Sequence, residues 1–93
     1  IGEMLCLMHS EISEALEADR NDKYFTYHSI SAINGWASDE DFINAYKLHI
    51  KGTFEEEMAD VFIRLMDMCG FKEIDIAAHV KAKMRYNASR EKY

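Results

Sequence analysis

No proline interrupts this chain anywhere, and glycine occurs only at Gly2, Gly35, Gly52 and Gly70. Pro and Gly supply the tight turns of β-meanders and sandwiches, so their scarcity argues against a turn-rich β architecture and for helices. The apolar residues agree. From Glu3 to Ala18, Met4, Leu5, Met8, Ile12, Ala15 and Leu16 recur at three- and four-residue steps, the period of an amphipathic helix.

Further helices follow the same logic. Asp19-Arg20-Asn21-Asp22 breaks the first pattern with turn formers. The aromatic-rich stretch 21–37 reads either as an ordered loop or as a loop with a short helix near Tyr27 to Asn34. Ser38, followed by Asp39, Glu40 and Asp41, has the pattern of an N-cap with acids in the first turn, predicting a helix to about Lys51 that ends at Gly52. Thr53 and Glu56 have the spacing of a capping box. They open a helix expected to reach Cys69 and stop at Gly70, with Phe54, Met58, Val61, Phe62, Leu65 and Met68 on its apolar face. A last helix is expected from Glu73 to Ala88. Residues 1–93 thus read as one all-α domain, a bundle of four to five helices. A chain this short buries only a modest core alone, and oligomerisation is expected to complete it.

Charge is distributed unevenly. Residues 1–71 carry five Lys/Arg against fourteen Asp/Glu, and residues 72–93 carry six against three, giving a body of −9 and a tail of +3. An acidic body is a poor match for phosphate backbones and suits a cation. Cys6 and Cys69 lack C-x-x-C spacing and read as reduced core residues of a cytoplasmic protein. No apolar run approaches the roughly 18 residues that span a bilayer, and no signal-peptide pattern opens the chain, so no membrane partner is expected.

The chemistry-bearing pattern is acidic. Glu11 and Glu14 lie three apart on the first helix, and Glu57 and Asp60 repeat that spacing later. Glu11 continues the row of Met4, Met8 and Ala15, and Glu57 continues that of Phe54, Met58 and Val61. Both pairs therefore border the apolar seam, where an unpaired carboxylate is costly to desolvate. Four of them converging between two antiparallel helices would demand a cation. Oxygen donors without thiol or imidazole at ligand spacing favour Mg²⁺, with Mn²⁺ as a substitute, over zinc. The alternative that these acids are solvated helix faces stays open at this point.

The run Ser10-Glu11-Ile12-Ser13-Glu14-Ala15-Leu16-Glu17, followed by Glu56-Glu57-Met58-Ala59-Asp60-Val61, resembles the E-x-x-E and E-x-x-D signature of the MazG-like all-α nucleoside triphosphate pyrophosphohydrolases. That superfamily includes the dimeric dUTPases and dCTP pyrophosphatases. Lys83 to Arg90 is similar to the K-x-x-x-N-x-x-R segment that closes many of its domains. The resemblance implies that Glu11, Glu14, Glu57 and Asp60 hold Mg²⁺ and serve catalysis, and that Lys83, Asn87 and Arg90 contact phosphate. It also implies hydrolysis of a (deoxy)nucleoside triphosphate to monophosphate and pyrophosphate, by a homodimer or homotetramer, in nucleotide-pool house-cleaning. Trp36 is the preferred base contact, with Tyr24, Phe25 and Tyr27 as further aromatic candidates against a packing role. The 42 residues between Glu14 and Glu57 depart from the short connection of minimal relatives, placing base choice within the 20–50 insert.

Rival functions divide on single features. A di-iron carboxylate bundle requires Glu-x-x-His, and the residues three before the four histidines are Cys6, Phe25, Tyr46 and Ile76. That rival falls. A DNA-binding regulator using the basic C-terminal helix has the +3 tail in its favour and the −9 body against it. A non-catalytic helical interaction module needs only the apolar faces.

Overall fold

A computed structural model describes residues 2–27, 30, 35 and 38–90, and among these it contains four helices and no strands. They are α1 (Gly2–Arg20), α2 (Asp39–His49), α3 (Phe54–Phe71) and α4 (Ile76–Ser89). Most of the short helix considered near Tyr27 to Asn34, and Trp36, lie outside the described residues.

The caps explain where the helices begin. Ser38 caps α2, its hydroxyl accepting the Asp41 N–H at 3.1 Å. Thr53 caps α3 and accepts the Glu56 N–H at 3.2 Å. The Glu56 carboxylate returns the favour one residue early, accepting the Gly52 N–H at 2.8 Å. Asp75, rather than Glu73, opens the last helix by accepting the Ala78 N–H at 3.1 Å.

The C-terminal ends are less expected. Gly70 does not stop α3, which runs on to Phe71. The left-handed residue is Glu73, at φ 56°, and the Ile74 N–H reaches the Cys69 carbonyl at 2.8 Å while the Glu73 N–H reaches Gly70 at 3.1 Å. That pair of bonds is the Schellman closure. Asp22, at φ 55°, closes α1 in the same way through Lys23 to Ala18 and Asp22 to Asp19. Gly52, at φ 81°, is the one of the three turns that follows the usual glycine preference.

α1 and α3 are the helix pair that packs along its length. They run antiparallel, because Glu11 pairs with Arg64 while Glu14 meets Glu57. Met8, Ala15 and Ala18 of α1 and Cys69 of α3 are buried, so small side chains let the two helices approach. The row Leu5, Ile12 and Leu16, expected inside, lies instead on an uncovered second stripe of α1. Cys6 is also exposed, which corrects its assignment to the core; both cysteines are free thiols.

A second, smaller core surrounds Ala45 and Ile50, with Phe25, Tyr27, Phe42 and Tyr46 packed against it. The strap after α1 is tied across the first turn of α3: the Phe54 N–H donates to the Lys23 carbonyl at 2.7 Å, the Phe25 N–H to Glu55 at 3.0 Å, and Tyr24 packs on Phe54. α4 shares an apolar groove with α3 but has no buried residue. The Cα radius of gyration, 16.8 Å, exceeds the about 12 Å of a compact chain of this length. Phe62, Phe71 and Met84 remain 62%, 73% and 66% exposed, as faces that the single chain leaves open. No described helix is long and apolar enough to cross a membrane.

Candidate metal centre

The three consecutive glutamates at the start of α3 point to three different tasks. Glu55 accepts the Phe25 N–H and holds the strap. Glu56 accepts the Gly52 N–H and, at 2.5 Å, the Tyr46 hydroxyl, locking the α2–α3 corner. Glu57, one helical step further round, faces α1.

There it meets Glu11 and Glu14. One carboxylate oxygen from each lies within 4.8 Å of the others, a spacing from which a single cation could be held. The Oε2 atom of Glu57 is buried with no hydrogen-bond partner, a costly state for a carboxylate oxygen. Burial first, then a hydrogen bond with Glu14 and the charges of Glu14, Asp60 and Glu56, pushes the Glu57 carboxyl up to about 7. Asp60 lies outside the trio but within its field. Its carboxyl is raised by burial and by Glu11 and Glu56, with Arg64 opposing.

Arg64 is the feature that motif reading missed. Its Nε donates to Glu11 Oε1 at 2.8 Å, and the Glu11 side chain is only 12% exposed. This bond, followed by the nearby charge of Glu11 and Asp60, raises the guanidinium pKa further. The signal was available: Arg64 is four residues after Asp60 and seven after Glu57, on the same face of one helix. One positive charge set among four carboxylates leaves the cluster strongly anionic.

The basic set is elsewhere. Lys83 and Arg90 lie over the Tyr86 ring, at 5.1 and 5.5 Å from its centroid, and Asn87 sits half-buried between them in sequence. α4, which carries Lys83 and Asn87 and is capped by Arg90, is not packed along the α1–α3 pair. The structure therefore brings Glu11, Glu14 and Glu57 together, sets Asp60 beside them, and does not bring Lys83, Asn87 and Arg90 into that cluster within one chain. His9 is exposed. Compared with known protein families, curated proteins and solved structures, the chain matches none.

Proposed function

We propose that this chain is a Mg²⁺-dependent pyrophosphohydrolase that converts a (deoxy)nucleoside triphosphate to its monophosphate and pyrophosphate, as the MazG-like enzymes its motifs resemble do. The observation that carries the reading is the meeting of Glu11, Glu14 and Glu57 across the α1–α3 seam, with one Glu57 oxygen buried there. An all-oxygen donor set of this charge suits Mg²⁺ or Mn²⁺, and these three side chains would hold it. When bound, the ion supplies charge neutralisation of the triphosphate and Lewis acidity.

The remaining work falls to the protein. Arg64 fixes Glu11 in its inward position through the 2.8 Å bond. Asp60, outside the trio, is the carboxylate left to orient the attacking water and take its proton as the new oxygen–phosphorus bond forms at the α-phosphorus and the bond to the pyrophosphate oxygen breaks. Lys83, Asn87 and Arg90 are assigned to phosphate oxygens. Because α4 stands off the α1–α3 pair, that contact requires an assembled homodimer or homotetramer, which would also cover the exposed stripes of Leu5, Ile12 and Leu16 and of Phe62 and Met66. House-cleaning of nucleotides in the cytoplasm is the matching role.

A second reading, a non-catalytic helical interaction module, is favoured by one observation: the apolar groove of about 460 Å³ between α3 and α4, walled by Phe62, Met66, Val80 and Met84. Release of pyrophosphate and monophosphate from a panel of NTPs and dNTPs, with Mg²⁺ and with EDTA, separates the two. The expected result is metal-dependent release that falls about 100-fold or more in Glu57→Gln, since a substituted ligand costs at least what a lost supporting contact does. Silence across the panel from a folded protein rules hydrolysis out.

A further inference from the structure

We infer that the cavity between α2 and the first turns of α3 is the base subsite of this enzyme, and that it selects a base whose edge donates two adjacent hydrogen bonds, that of guanine. This rests on the pyrophosphohydrolase reading. The cavity holds about 410 Å³, within the range of small-ligand pockets. Phe25, Phe42, Tyr46 and Ile50 wall it, and the Glu55 and Glu56 side chains form its polar part. Three aromatic rings around one space provide the faces on which a planar base stacks.

Position ties the cavity to the carboxylates. Glu56 and Ala59 line it, and their neighbours in α3 are Glu57 and Asp60. The Tyr46 hydroxyl on its wall is held in the neutral form by burial, by Glu56, and then by the charges of Asp60 and Glu57. The cavity and the candidate metal centre thus occupy adjoining faces of the same two helical turns, as the base and phosphates of one nucleotide would.

Polarity sets the choice of base. Among the described residues no Lys, Arg or His lines the cavity. The Tyr46 proton is already committed to Glu56 at 2.5 Å, so the hydroxyl has only lone pairs left to offer. Glu55 Oε1 takes the Phe25 N–H, and its second oxygen can still accept. Among the described residues, every polar side-chain atom on the wall is therefore an acceptor. Guanine presents N1–H and N2–H₂ side by side to such acceptors, Glu55 Oε2 and the Tyr46 hydroxyl oxygen; adenine and cytosine offer one amino group beside an acceptor; uracil flanks its single N–H with two carbonyls, which the carboxylates repel.

Guanosine and uridine, which carry no phosphate, are titrated calorimetrically into the full chain in EDTA, so that neither metal nor phosphate contributes. Guanosine is expected to bind about tenfold or more tighter than uridine, from the discrimination that a bidentate pair supplies. Glu55→Gln, which keeps an acceptor for the Phe25 N–H, should erase most of that preference, and Phe42→Leu should weaken guanosine binding with helix content unchanged. Equal affinities, tighter uridine, no binding of either nucleoside, or a preference untouched by both variants overturns the assignment. Turnover assays keep the two readings apart. Equal pyrophosphate release from GTP and UTP overturns the subsite and leaves hydrolysis standing, whereas no release from any triphosphate with the guanosine preference intact removes hydrolysis and leaves the subsite.

Discussion

The two sides of α3 are built on opposite terms. Toward α1 it packs closely through Cys69 against a helix whose buried residues are Met8, Ala15 and Ala18, and it places Glu57 and Asp60 at that seam. Toward α4 it presents Phe62 and Met66 to a groove that stays open, opposite a helix with no buried residue. Charge lies where the chain is tight and apolar surface lies where it is loose, the reverse of what a self-sufficient monomer would choose. The difference teaches that one helix can gather carboxylates on its packed face and leave apolar side chains on its open one.

The largest expected effect tests the loose side. Phe62→Glu combined with Met84→Glu should convert an assembled protein to monomers in light scattering, with a concentration-dependent Tm in the parent and none in the variant. A parent that is monomeric at every concentration breaks the comparison at that side.

The tight side should show itself in pH. The folded-state Glu57 carboxyl is raised to about 7 from an ordinary value of 4.5, so between those values the folded chain binds more protons than the unfolded one. Stability in EDTA is therefore greatest below about pH 4.5 as far as this group is concerned, and falls as pH rises toward 7. The loss is on the order of 1 kcal/mol after allowing for solvent screening. Urea melts across that window measure it, and saturating Mg²⁺ should flatten the slope. A Glu57→Gln variant should lose the slope in EDTA.

Arg64 gives a smaller effect on the same seam. Arg64→Gln removes a cationic partner of Glu11 and should lower Tm in EDTA by a few degrees, a loss that Mg²⁺ recovers. A loss that metal leaves unchanged would make Arg64 a packing residue. The smallest change lies at the α3–α4 turn. Glu73→Gly relieves a non-glycine residue from φ 56° and should stabilise the fold by about 0.5–1 kcal/mol in thermal melts, without altering assembly.

Much of this could be read from the chain in order. The three-and-four spacing located α1 and α3, and the Ser38 and Thr53 caps placed two helix starts to the residue, because capping is a contact between near neighbours. The E-x-x-E spacing put Glu11 and Glu14 on one face of α1, since i and i+3 share a face in any helix, and the packing of α1 on α3 brought Glu57 to them without Asp60. The errors came from the same source. Gly70 looked like a terminator, but backbone bonds from Glu73 and Ile74 close the helix later, and an unfavourable Glu at positive φ is tolerated when two such bonds hold it.

The sequence by itself determined the helical class, the two acidic pairs and the separation of an acidic body from a basic tail, because each depends on residue type and position along the chain. Only the tertiary structure decided which of two apolar stripes of α1 is covered, that Arg64 enters the carboxylate cluster, that Glu55, Glu56 and Glu57 divide between strap, corner and seam, and that Phe25, Phe42 and Tyr46 enclose a cavity. Those outcomes depend on the rotation and register of one helix against another. Local periodicity leaves both free, and packing between distant parts of the chain selects them.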